Sequence, residues 1–364
     1  MILGMNTWQK IIEFIKKYQN HISTGAMVVG FIIDNLTAGR IDQFFSHIFI
    51  IFYILIAGLG ILLVNFVEVK NLTSNVAQKI KIFAPIAMQF AFGGLFSVFF
   101  VFYSRSGSFL ASWPFLVLIL ALLILNEFLK EKYSRLVYQM GVYFFIIFSY
   151  MIFLVPVISR QIGQLIFIYS GLISLTLIYL LTILIHIITQ KKYFLFHKKM
   201  WLVIFIIYFV MNIFYFTNIL PPLPLSMKDS GIYNLVEKRG TNYITYRKHK
   251  NWFEGYFNNS IELNPGANLY YFSSIFAPTK LNTQVVHEWE YYNKLSKKWV
   301  KATKISFPIT GGSDNGYRGY SLKQNLQEGD WRVFTKTLSG QIIGEEKFRV
   351  IFTDENLNLE KTLK

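Results

Sequence analysis

The stretch MWLVIFIIYFVMNIFYFTNILPPLPLSMKDSG, residues 200–231, divides the chain in two. Residues 200–220 are almost wholly apolar. As a helix rising ~1.5 Å per residue they cross a hydrocarbon core of ~30 Å. Pro221, Pro222 and Pro224 then end the helix, because proline has no amide hydrogen to donate and clashes with the preceding turn. Beyond them hydropathy falls and turn residues multiply. Residues 221–229 read as a Pro-rich linker; at ~3.1 Å per residue it reaches at most ~25 Å, which keeps the following domain close to the membrane.

Upstream the same apolar character repeats. Runs 44–67, 82–103, 109–129, 137–158 and 165–188 each have spanning length. A weaker run, 22–38, contains Ser23, Thr24, Asp34, Asn35 and Thr37 but is solidly apolar over 27–33. It is read as a seventh span, with a re-entrant segment as the other possibility. Ahead of it, Trp8, Ile11, Ile12, Ile15 and Tyr18 recur at helical spacing opposite Lys10, Glu13, Lys16 and Lys17. Residues 1–21 are therefore expected to form an interfacial amphipathic helix, or a helix packed on the bundle. No cleavable signal peptide is expected.

Composition agrees. Of the 364 residues, 53% are hydrophobic, 18% aromatic and 15% charged, with no cysteine. Soluble domains carry ~25% charged residues, so a disordered chain or an ordinary soluble enzyme is excluded. Without cysteine there are no disulfides, thiolate nucleophiles or Cys-ligated metals. The net charge is +16. Most of the excess sits between the apolar runs, where it sets membrane orientation rather than binding nucleic acid. With the N-terminus inside, the cytoplasmic connectors carry 13 Lys and Arg, and the outer ones only three, Arg40, Arg105 and Arg160. Lys191, Lys192, Lys198 and Lys199 alone fix the last helix. Seven spans starting inside end outside. The C-terminal region is thus expected on the extracytoplasmic face of a bacterial plasma (inner) membrane.

Downstream, short runs rich in Tyr, Phe, Val, Ile and Thr alternate with turn signals. Strands are expected at 243–247, 269–276, 285–292, 299–307, 317–323, 331–337 and 347–352. The glycine-rich 311–316 is read as a hairpin loop turning at Asn315-Gly316. Seven strands over 230–353 suggest an all-β, immunoglobulin-like two-sheet sandwich. The polar tail 354–364 is expected to fray.

Several stretches now form a recognisable pattern. They are HEWEYY (287–292), GYRGYSLK (316–323), GDWRVFTKTLSGQIIGEEKFRV (329–350), FIIDNLTAGRID (31–42), FYSRSGSFLASW (102–113), and SGIY (230–233) after the proline linker. The chain resembles uncharacterised bacterial multi-pass membrane proteins with a C-terminal domain of unknown function, number 2914 in that series. The resemblance implies a membrane bundle with a soluble β domain and brings no activity.

Candidate sites come in two groups. Ionisable residues near a bilayer are costly and so draw attention. Asp34, Arg40, Asp42, Arg105 and Arg160 share the outer face. They read either as a polar site for an anionic or lipid-linked substrate or as an ion-pair network touching lipid phosphate. In the β region, alternation puts Val285, His287, Trp289 and Tyr291 on one strand face. With Trp331 they form either a sugar-stacking platform, with His287 or Glu288 as the polar contact, or a sandwich core filled by Trp289, Trp299 and Trp331. Arg318 and Lys323, with Arg332 and Arg349, form either an anion patch or surface ion pairs. His287-Glu288 is not a zinc motif, since Tyr291 stands where HExxH needs its second His. No nucleophile elbow, P-loop or dinucleotide fingerprint occurs. No cofactor or metal is expected, and the reading leans away from an enzyme. The expected partners are the lipid bilayer and an envelope glycan, lipid-linked substrate or partner protein, with the oligomeric state open. A polytopic enzyme or transporter using the outer-face charges is the alternative.

Overall fold

A computed structural model describes residues 32, 44–106, 109–128, 135–190, 197–248, 259–278, 281–311 and 316–364. The expected amphipathic segment 1–21 lies outside these residues, as does the 22–38 run apart from residue 32. Two compact units emerge. The first holds the described residues up to Phe102, with Pro114–Ile152 and Tyr169–Ile213; the second holds Tyr103–Trp113, Phe153–Ile168 and Phe214–Lys364.

Six helices follow one another among the described residues from 44 on: α1 (Phe44–Val69), α2 (Asn75–Ser106), α3 (Phe109–Phe128), α4 (Leu136–Ser159), α5 (Gln164–Thr189) and α6 (Lys198–Phe216). Each meets one of the strong apolar runs. Five are long and apolar enough to cross a membrane; in α3 the apolar helix Ala111–Asn126 is shorter. Two side-chain amides tie neighbouring helices together. Asn65 Nδ2 donates to Gln139 Oε1 at 2.8 Å, joining α1 to α4. Asn126 Nδ2 donates to the Gln89 carbonyl at 3.0 Å, joining α3 to α2. Asn212 Nδ2 donates within its own helix, to Tyr208 O at 2.8 Å. Small residues let the helices close up. A Cβ on Gly171 would stand 2.7 Å from the Tyr208 ring and 3.1 Å from that of Phe148. Gly171→Leu should therefore overpack the α4–α5–α6 contact and cost about 1–3 kcal/mol, read as a lowered unfolding temperature in detergent. An unchanged temperature would remove this close approach from the account.

The second unit is built on eleven strands. Sheet order is β1-β5-β8, β4-β10-β9-β6-β7 and β11-β3-β2. The first comprises β1 (Ser226–Tyr233), β5 (Leu269–Phe276) and β8 (Tyr317–Lys323). The second comprises β4 (Ser260–Leu263), β10 (Ile342–Phe352), β9 (Gly329–Thr337), β6 (Asn282–Asn293) and β7 (Lys298–Thr310). The third comprises β11 (Leu359–Leu363), β3 (Asn242–Lys248) and β2 (Leu235–Arg239). Pairing is antiparallel except between β10 and β4. Inner-face residues of the first two sheets share one core: Ile232, Leu269 and Tyr271 meet Trp289, Trp331, Val333, Phe348 and Val350. A separate cluster joins Tyr233 and Phe272 to Val236 and Tyr243, so the third sheet packs on the β1-β5-β8 sheet.

Three expectations change here. β7 and β8 lie in different sheets, so they do not pair as a hairpin, and Asn315 of the expected turn lies outside the described residues. Gly316 has φ +75°, a left-handed backbone that favours glycine. The tail is ordered into β11, which pairs with β3 from Leu359↔Lys248 to Leu363↔Ile244. The proline segment is not an extended spacer. Residues 220–225 are all buried, Leu223 N and Leu225 N donate to Pro221 O and Pro222 O at 2.8 and 3.0 Å, and β1 already begins at Ser226. Ser106 Oγ of α2 donates to Leu225 O, and Gln341 Nε2 donates to Leu220 O at 3.3 Å. Ile162, between α4 and α5, packs against the cluster of Leu225, Leu281, Val285, Ile309 and Ile343. Helix ends and strands thus form one hydrophobic joint within this unit.

Candidate functional site

Strand β6 carries most of the chemistry, and its alternation sorts that chemistry between two faces. Its odd residues point inward. His287 and Trp289 are both fully buried. His287 Nε2 lies 2.8 Å from Ser273 Oγ of β5, and Nδ1 lies 2.9 Å from Ser321 Oγ of β8. Trp289 Nε1 donates to the same Ser321 Oγ at 3.0 Å. One consistent assignment has the Ser321 hydroxyl donating to Nδ1, and Nε2–H donating to Ser273. Tyr271 and Phe307 close around the imidazole with ring centroids at 4.6 and 4.8 Å. Burial pushes the His287 pKa down to about 3, so the ring is neutral. A Ser–His contact of this length serves nucleophilic catalysis elsewhere. Here both serines and the histidine are sealed between the sheets, out of reach of any substrate, and their role is to satisfy one another. Tyr271 Oη pairs with Thr335 Oγ1 at 2.8 Å in the same layer.

The even residues of β6 point to the other face and meet basic residues of β9. Lys336 Nζ donates to Glu288 Oε1 at 2.6 Å, and Lys301 of β7 lies 3.5 Å from it. Arg332 Nε and Nη2 both reach Glu290 Oε2, at 2.8 and 2.6 Å. Glu345 of β10 sits 3.4 Å from Lys347 and 3.9 Å from Arg332. The Arg332 guanidinium lies over Trp299 at 4.3 Å and Phe334 at 4.8 Å. Charges therefore alternate strand by strand across the face. For Glu288 burial acts upward, but the Lys336 hydrogen bond and the charges of Lys336 and Lys301 outweigh it, holding the carboxyl below its usual range.

The other sequence candidates do not converge on one site. Trp331 is buried, its indole N–H donating to Gln327 O at 2.8 Å. Arg318 Nη2 donates to Thr241 O at 2.9 Å, its guanidinium 5.8 Å from the Tyr243 ring centroid. Lys323 Nζ donates to Gln324 O at 2.9 Å. Arg349 and Asp330 make a two-point pair at 2.6 and 3.0 Å. The proposed platform of His287, Trp289 and Trp331 is thus interior, and the basic residues hold carbonyls or carboxylates instead of a shared anion. Arg105 ends α2, and Arg160 follows α4 with φ +58°. Asp34, Arg40 and Asp42 lie outside the described residues. Among the described residues, no group of three His, Asp or Glu side chains is arranged to hold a metal. Ser273, Ser321 and Thr335 were not legible as partners. Their one sequence signal is a small polar residue interrupting an aromatic strand.

No curated protein matches the chain. Among solved structures, a β-glucosidase from Listeria innocua in complex with gluconolactone is similar over 32% of this chain and 17% of its own, at 12% identity and TM-score 0.19. The chain thus spans under a fifth of that enzyme's length. An immunoglobulin-like protein from Pseudomonas aeruginosa is similar over 33% of this chain and 97% of its own, at 8% identity and TM-score 0.19. The alkylpurine DNA glycosylase AlkC of Pseudomonas fluorescens, bound to DNA containing an abasic site analog, is similar over 77% and 82%, at 11% identity and TM-score 0.23. At these TM-scores none of the three carries an argument. A family model does match, over residues 282–350, the stretch from β6 to β10 that holds both faces described above. That C-terminal stretch carries the family described as a protein of unknown function, DUF2914, whose pattern the chain's sequence resembles.

Proposed function

We propose that this is a multi-pass protein of the bacterial plasma membrane. It displays an immunoglobulin-like β-sandwich on the extracytoplasmic side as a binding module of the cell envelope. The grouping of helix ends with strands is the observation that carries the reading. Tyr103–Trp113, Phe153–Ile168 and the end of α6 share a compact unit with all eleven strands. These are the connectors the lysine bias assigns to the outside, which supports an extracytoplasmic β domain. The shared core of the β1-β5-β8 and β4-β10-β9-β6-β7 sheets supports the sandwich reading. The sealed His287 network belongs to the packing between the two sheets. Arg105 and Arg160 fall where lipid phosphates lie in this arrangement and serve as headgroup anchors.

The absence of native cysteine makes the topology testable with single substitutions. Leu295→Cys should react with a membrane-impermeant maleimide in intact spheroplasts, and Lys191→Cys only after lysis. The reverse pattern would overturn the orientation.

A further inference from the structure

The β6–β7 hairpin extends beyond the sheet that holds it. Pairing of β6 with β9 stops at Tyr291↔Trp331, whereas its pairing with β7 continues to Asn293↔Lys298. Residues 292–299 therefore project as a two-stranded prong. Asn293 Oδ1 fixes the turn by accepting from Leu295 N and Ser296 N at 2.9 and 3.1 Å. Tyr292 and Trp299 brace its base with ring centroids 5.4 Å apart. At the tip Leu295 is 98% exposed.

The charge around that leucine is one-signed. Residues 294–304 contain five lysines and no acidic residue. Of these, Lys301 lies near Glu288. Lys294, Lys297, Lys298 and Lys304 take part in no salt bridge among the described residues. The acids of β6 are already engaged by β9, and Lys294 acts on Asp330 of β9 through its charge, yet the five lysines of 294–304 still exceed the acids beside them. β7 is also an edge strand of the sheet. Pairing with a second copy along this edge would set lysines against lysines.

We infer that the prong is a docking element for an acidic protein surface bearing an apolar socket. The lysines supply steering and Leu295 the contact that buries. The inference rests on the reading of the β domain as a binding module and names its partner's chemistry.

The test uses the full chain in phosphatidylcholine nanodiscs, which expose both faces of the protein. A wrong orientation therefore leaves this result untouched and shows only in the maleimide experiment. The probes are a labelled glutamate–tyrosine copolymer, poly-glutamate, and phosphatidylglycerol vesicles. The copolymer should bind in a salt-sensitive manner, and Lys294→Glu with Lys298→Glu should weaken it about tenfold or more. Leu295→Ser should weaken the copolymer about threefold while leaving poly-glutamate unchanged, because only the copolymer offers an apolar contact. An unchanged unfolding temperature in each variant shows that the prong alone was altered. Absence of copolymer binding, or equal binding by the lysine variant, overturns the proposal. So do vesicles that bind as tightly as the copolymer and are lost in the same variant, since they would assign the prong to a lipid surface.

Discussion

Trp289→Ala should lower the stability of the β-rich region by about 3–5 kcal/mol, the range for emptying a buried aromatic site. Trp289 is fully buried, packed edge-on against Tyr271 and Phe348 with centroids at 6.4 and 6.2 Å. Alanine leaves a cavity between two sheets that are each pinned by their own ladders and cannot collapse into it. The loss of the indole N–H adds little, because Ser321 keeps His287 as a partner. Whole domains are stable by only ~5–15 kcal/mol, so this change removes a large share. Trp299→Ala is the control. Trp299 lies on the opposite face, half-buried under Arg332, and its cation–π contact is worth about 1 kcal/mol. Pulse proteolysis across a urea gradient separates the two. Equal losses would mean that the inner and outer faces have been confused.

How far the sequence spoke depends on what holds each element. β5 and β8 were legible to the residue, as 269–276 and 317–323, since both are aromatic runs that follow a glycine at a turn, Gly266 and Gly316. β1, with the sequence SMKDSGIY, has Ser, Asp and Gly where strands prefer branched or aromatic residues. It is a strand because β5 offers it a ladder from Ser226↔Phe276 to Tyr233↔Tyr270. β11 is likewise polar and borrows its order from the edge of β3. Such strands are made by a neighbour distant in the sequence, which local propensity does not register. On β6 alternation correctly put His287 with Trp289. It did not say which face is interior, because Glu288 and Glu290 on the other face are also nearly buried, beneath their ion pairs. Helix runs were legible because an apolar stretch of spanning length needs no partner to declare itself.

Acidification should destabilise the β region well before its carboxylates titrate. His287 is held at a pKa of about 3 against 6.5 when unfolded, because the sealed pocket of Ser273, Ser321, Tyr271 and Phe307 offers the imidazolium no counter-charge and no water. Above pH 6.5 neither state binds the proton and stability is complete. Below it the unfolded chain takes up a proton that the native chain refuses, and stability falls until pH ~3. The loss is about 2 kcal/mol at pH 5 and about 5 kcal/mol once complete. Glu288 and Asp330, both held below their usual ranges in the folded protein, act in the same direction. Their contributions are present above their unfolded pKa values of 4.5 and 3.8, and so begin to fail only at lower pH. The window from pH 6.5 to 5 therefore belongs to histidine. His249, the other histidine after Leu220, is replaced by Gln in both proteins compared. In that background the urea midpoint should drop between pH 7 and pH 5, and His287→Asn should start lower at pH 7 yet lose little more on acidification. A midpoint that is flat in the parent protein, or as steep in His287→Asn, would show that the imidazole is not sealed between the sheets.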